Sequence, residues 1–113
     1  MSAEAKNAQR EGTLRIGDLA RRTGIGKATI EHYLRLDLLQ PAATGAQGYR
    51  FFSDEAVARL MAIRVGRRAG FTLAELRAAL GAVDPVSLAQ LVATLPPGRC
   101  RAELAARGAA IDV

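Results

Sequence analysis

A small residue at Ala20 with a glycine four positions later, Gly24, then Ile25, Ile30 and Tyr33, constrains this chain more than any other pattern in it. Two helices cross closely only where one offers a small side chain. The tight turn between them needs a left-handed backbone, which glycine adopts without steric cost. The second helix must then direct apolar residues at the first; Ile30, Tyr33 and Leu34 share one helical face, and Leu19 lies behind Ala20. These requirements predict a helix over Ile16–Arg22, a stop at Gly24, and a second helix from about Lys27 to Arg35. The pattern is that of a helix-turn-helix; a plain helical hairpin, which has no need of this spacing, is the alternative.

Punctuation by glycine and proline organises the rest. Pro41 ends the second helix, and the glycine-rich run to Gly48 followed by Tyr49-Arg50-Phe51-Phe52 predicts a small β-hairpin, with strands near 39–42 and 49–52. Ser53-Asp54-Glu55 reads as the capped, acidic start of a helix that Gly70 stops. Thr72 with Glu75 is a capping box opening a helix to about Gly81. Asp84-Pro85 starts a segment over 86–95, Pro96-Pro97-Gly98 breaks it, and a last helical piece follows from about Arg99. The polar, unpatterned residues 1–12 read as a disordered tail. The expected organisation is therefore a tail over 1–12, a mainly α domain over 13–83, and a helical segment over 84–113.

Charge narrows the function. The net charge is +5, and all of it falls within 13–83, where eleven cations face six anions; both flanking regions are neutral. A localised excess is the footprint of a polyanion binder, with a basic solvated surface as the plainer reading. A single Cys100 forms no disulfide framework and builds no metal site alone. No run approaches the ~18 apolar residues of a membrane span, so a cytoplasmic protein that does not enter the membrane is expected. His32 and Cys100 lie far apart in sequence, no nucleophile–base pairing is apparent, and Gly24-Ile25-Gly26-Lys27 lacks the spacing of a phosphate loop. An enzyme is not expected, nor are a cofactor, catalytic residues or a metal.

In a helix-turn-helix the second helix lies in the major groove, and this one would expose Lys27, Ala28, Glu31, His32 and Arg35. Two readings stay open for Glu31: accepting from a cytosine amino group, or pairing along the helix with Lys27 or Arg35. Arg50, on a glycine-flexed hairpin, suits a phosphate or a narrow groove. Tyr49, Phe51 and Phe52 read as hairpin core, with Tyr49 the first exception.

The segments Leu14–Gly24, Thr29-Ile30 with Tyr33, Leu38–Pro41, Gly48–Phe52, Ile63-Arg64 and Gly70–Leu76 together resemble the MerR family of bacterial transcriptional regulators. The resemblance covers about residues 14–80. It implies a winged helix-turn-helix, with a small β-hairpin wing and a second helical pair, that binds promoter DNA as a homodimer and regulates transcription. Many family members distort an operator so that RNA polymerase can engage both promoter elements. Position by position, the resemblance carries DNA contacts to Lys27, Thr29 and Tyr33, a backbone or minor-groove contact to Arg50, and phosphate contacts to Arg64 and Arg67. Arg15 and Tyr49 complete the candidate DNA-facing set; Arg68 reads as solvated.

Two departures stand out. The family usually has Arg or Lys where Glu31 stands, and often Tyr in place of His32. Family members also continue into a long antiparallel dimerisation helix, whereas here Arg99–Val113 offers only the start of one. Cys100 resembles in position a ligand of mercury-sensing members, but a semi-buried helix cysteine is the expectation and no effector follows from it. An architectural, excisionase-like DNA-binding factor and a co-regulator acting through protein contacts remain alternatives.

Overall fold

The computed structural model describes residues 12–112, so all of the expected tail but Gly12 lies outside the described residues. The chain divides into two compact units between Leu60 and Met61. The elements are α1 (Ile16–Thr23), α2 (Lys27–Arg35), β1 (Ala43–Thr44), β2 (Arg50–Phe51), α3 (Asp54–Arg68), α4 (Leu73–Leu80), α5 (Pro85–Thr94) and α6 (Pro97–Ala106). Helix α3 runs through the point of division.

In the first unit, α1 opens where the Arg15 backbone N–H donates to Asp18 Oδ2 at 2.8 Å, giving a carboxylate acceptor to an amide at the helix start. It closes at Gly24, whose φ of 73° is the left-handed turn required by the spacing, and whose N–H donates to the Ala20 carbonyl. Thr23 braces that turn. Its Oγ1 donates to the Leu19 carbonyl at 2.7 Å and accepts from the Ile25 N–H at 3.1 Å, in a site only 1% exposed. Helices α1 and α2 pack on one another, with Leu19, Ile30 and Tyr33 buried. Ala20 itself is only half-buried.

The hairpin is shifted from its expected place. Strand β1 lies at Ala43–Thr44, not 39–42, and pairs antiparallel with β2 in the register Ala43 to Phe51 and Thr44 to Arg50. Leu38 and Leu39 are both buried in the core ahead of the hairpin. Pro41, moreover, has no N–H to donate to a ladder. The tip is a 3₁₀ turn over Ala46–Gly48. Leu14 exchanges two backbone bonds with Phe52, at 3.0 and 2.7 Å, and so ties the start of the described chain to the foot of the hairpin.

In the second unit, Gly70 at φ 96° follows α3, and Thr72 and Glu75 form the capping box read from sequence, with both bonds at 3.0 Å. Gly66 lies where a Cβ would meet Leu76 Cδ2 at 2.3 Å, so α3 and α4 meet with no room for a side chain there. Asp84 caps α5 by accepting from the Ser87 N–H at 3.1 Å. Pro96-Pro97 was expected to break the chain ahead of a helix from Arg99. Instead α6 starts at Pro97, since a proline at the first helical positions loses only an amide that the helix leaves unbonded. Cys100, Leu104, Ala109 and Ile111 are buried in this unit's core. Glu75 anchors α6 as well: its carboxylate accepts from Arg101 Nε at 2.6 Å and Nη2 at 3.2 Å, while the guanidinium sits 4.5 Å from the Phe71 ring.

Candidate nucleic-acid interface

Helix α2 turns Lys27, Ala28, Thr29, His32 and Arg35 to solvent, because Ile30 and Tyr33 occupy its inward face. Its N-cap is Gly26, which supplies no side-chain acceptor to the first-turn amides. Lys27 extends toward α1, its Nζ 3.8 Å from the point a Cβ on Gly17 would occupy, an ordinary contact distance. His32 is exposed, with its ring 6.2 Å from that of Tyr33.

The hairpin is held against this helix by side chains. Arg50 Nη1 donates to Glu31 Oε1 at 2.7 Å and Nη2 to Oε2 at 3.0 Å, a two-pronged pair joining β2 to α2. The hydrogen bonds from Arg50, with its charge behind them, hold the Glu31 carboxyl below the ordinary carboxylate range; Glu31 in turn raises Arg50. The Arg15 guanidinium lies 4.5 Å from the Tyr49 ring centre and 5.2 Å from that of Phe51, within cation–π range of both. Arg15, Ile16, Gly48, Tyr49, Arg50 and Phe52 line a small cleft between the start of α1 and the hairpin.

The first unit thus brings together Arg15, Lys27, Ala28, Thr29, Glu31, His32, Arg35, Tyr49 and Arg50. Tyr33 is 9% exposed, so its ring belongs mainly to the core. Tyr49 is 51% exposed, the exception expected among the hairpin aromatics, while Phe52 is fully buried. Arg64 and Arg67 belong to the second unit; Arg67 Nη1 donates to the Phe71 carbonyl at 3.0 Å, tying it to the loop after α3. The helix-surface partners expected for Glu31 give way to Arg50, 19 residues along the chain. Sequence spacing carries no signal for that pair, nor for the Arg15 contact with the aromatic rings. Thr23 was also missed, although a threonine just before a turn glycine is a recognisable brace. Among the described residues no group of three or more His, Cys, Asp or Glu could hold a metal ion, and no helix is long and apolar enough to cross a membrane.

Known proteins are similar to this chain in sequence and in fold. The MerR HTH family of regulatory proteins matches over residues 14–82. The mercuric resistance operon regulatory protein of Bacillus cereus is 43% identical over 70 residues, which is 62% of this chain and 53% of that protein. The nodulation protein NolA of Bradyrhizobium elkanii is 37% identical over 76 residues, 67% of this chain and 35% of NolA. The chain spans about half or less of these relatives. A crystal structure of a putative MerR family transcriptional regulator from Listeria monocytogenes shares the fold with a TM-score of 0.58 at 24% identity, covering 84% of this chain and 72% of that one.

Proposed function

This chain belongs to the MerR HTH family of regulatory proteins, and from that premise we propose that it binds double-stranded DNA by sequence and regulates transcription from a bacterial promoter. The observation that carries the reading is the seating of the hairpin beside α2 through the Arg50–Glu31 pair. A helix with five exposed residues on one face fits a major groove about 12 Å wide, and a hairpin held at its flank reaches the neighbouring backbone or minor groove.

In this reading Lys27, Thr29, His32 and Arg35 meet base edges and phosphates, and Arg50 and Arg15 approach the backbone from the hairpin side. Tyr33 positions α2 from within. Residues 13–83, with Arg64 and Arg67 as phosphate contacts, form the DNA-binding domain, and 84–113 a helical C-terminal segment. The active form is a homodimer in the cytoplasm, reading two half-sites in an operator whose distortion brings RNA polymerase onto the promoter. Several relatives are named as regulators, one of them of a mercuric resistance operon and another as a transcriptional activator. That supports regulation over the architectural and co-regulator readings.

Selecting bound duplexes from a random pool, with the mass of the complex measured in solution, tests this. The expected result is an enriched, inverted-repeat sequence bound by two chains. No enrichment overturns sequence-specific binding, and one chain per duplex overturns the homodimer. Footprinting then separates the readings: protection between promoter elements fits a regulator, and tandem sites at a recombination junction fit an architectural factor.

A further inference from the structure

The Glu31–Arg50 pair places a carboxylate on the face proposed to meet a polyanion. We propose that Glu31 is a specificity-determining residue that acts through Arg50, pairing the hairpin guanidinium so that it adds no net charge to sequence-independent DNA binding. This inference rests on the DNA-binding reading above.

Both carboxylate oxygens are engaged, at 2.7 and 3.0 Å, which fixes the plane of the guanidinium as well as its position. A guanidinium has five N–H donors, and three remain for acceptors on a duplex of the right shape. Sequence-independent affinity comes mainly from cations that replace condensed counterions at phosphates. A neutral pair contributes little to that, and its carboxylate repels a phosphate that approaches without satisfying the remaining donors. A matched site keeps the directional bonds. The pair therefore lowers background binding more than specific binding, and it is this ratio that governs occupancy among many competing sites.

The side chains of Arg50 and Glu31 are 36% and 40% exposed, so water and duplex both reach them and the pair can be tuned by substitution. The hairpin does not hang on the pair alone. Leu14 bonds Phe52 through the backbone, and Arg15 packs on Tyr49 and Phe51. Glu31→Gln should thus remove the charge and leave the hairpin seated.

The test measures binding of the full chain to a random-sequence duplex and to a duplex enriched by selection, across salt, for wild type, E31Q, R50Q and the double variant. E31Q is expected to bind random sequence several-fold more tightly, with a log–log salt slope steeper by about 0.9, one phosphate's worth. Its preference for the enriched duplex should fall by a similar factor. In the R50Q background E31Q frees no guanidinium, so it should leave the salt slope unchanged even where removing the acid raises affinity. An equal steepening of the slope in that background overturns the inference, since it would not depend on Arg50. Loss of the enriched duplex with random binding unchanged also overturns it, because Glu31 would then be reading a base itself. A wild-type chain that binds neither duplex at low salt overturns the DNA-binding reading, and the inference with it.

Discussion

Glu75 shows how much one side chain can be asked to do. It completes the cap of α4 and accepts both bonds from Arg101, and those bonds, Arg101 first and the Thr72 amide next, bring its carboxyl down to about 2. Because the folded value lies below the ordinary 4.5, the folded state favours the charged form. The resulting stability is complete above about pH 4.5 and is lost as the pH falls through about 2. Glu75→Gln should cost about 1–2 kcal/mol near neutrality after solvent screening. Denaturant melts across pH should show that difference narrowing toward pH 2; a gap independent of pH would point to packing instead. Cys100, in α6, behaves oppositely to a reactive thiol. It is fully buried, and burial pushes its thiol up, with only partial relief from Arg101. Iodoacetamide should modify it at least about tenfold more slowly in the folded chain than in denaturant, since the thiolate is the reacting form; mass spectrometry reads the difference.

At the scale of elements, close approach decides what the sequence pattern only suggests. Gly66 sits in the last turn of α3, still within the helix, where glycine is intrinsically unfavourable, and its reason is Leu76 across the gap. Gly66→Ala should destabilise by about 1–3 kcal/mol through overpacking, seen as a lower melting temperature. Adding Leu76→Ala should cost less in that background than in the wild type, because the clashing methyl goes; strictly additive losses would deny the contact. The helix-turn-helix was legible because its constraints are local: Gly24 must be left-handed, and Ile30 and Tyr33 must share a face. The capping box at Thr72 was legible for the same reason. The first strand was misplaced because its register, Ala43 to Phe51 and Thr44 to Arg50, is chosen across the hairpin, and the start of α6 because Pro97 serves as an opening rather than a break.

For the whole molecule, the excess of five positive charges in 13–83 predicts binding governed by phosphate contacts. Affinity for duplex DNA should fall on the order of a hundredfold or more between about 50 and 200 mM salt. Fluorescence anisotropy at several salt concentrations would show it, and a fall of less than about tenfold would remove phosphate contacts from the leading role. Within that stretch Arg21 pairs with Asp18, Arg22 with Asp54 and Arg50 with Glu31. Such pairs leave the net charge as it is and limit instead which cations can turn to a phosphate.

The stretch from Leu19 to Leu34 by itself determined the two crossing helices, their left-handed turn and the inward and outward faces of α2, because each follows from residues within a few positions of one another. The partner of Glu31, the stacking of Arg15 and the seat of the hairpin were decided only by tertiary structure. Those contacts join residues 19 to 38 positions apart, and at such separations it is chain topology and packing, not periodicity, that choose which group meets which.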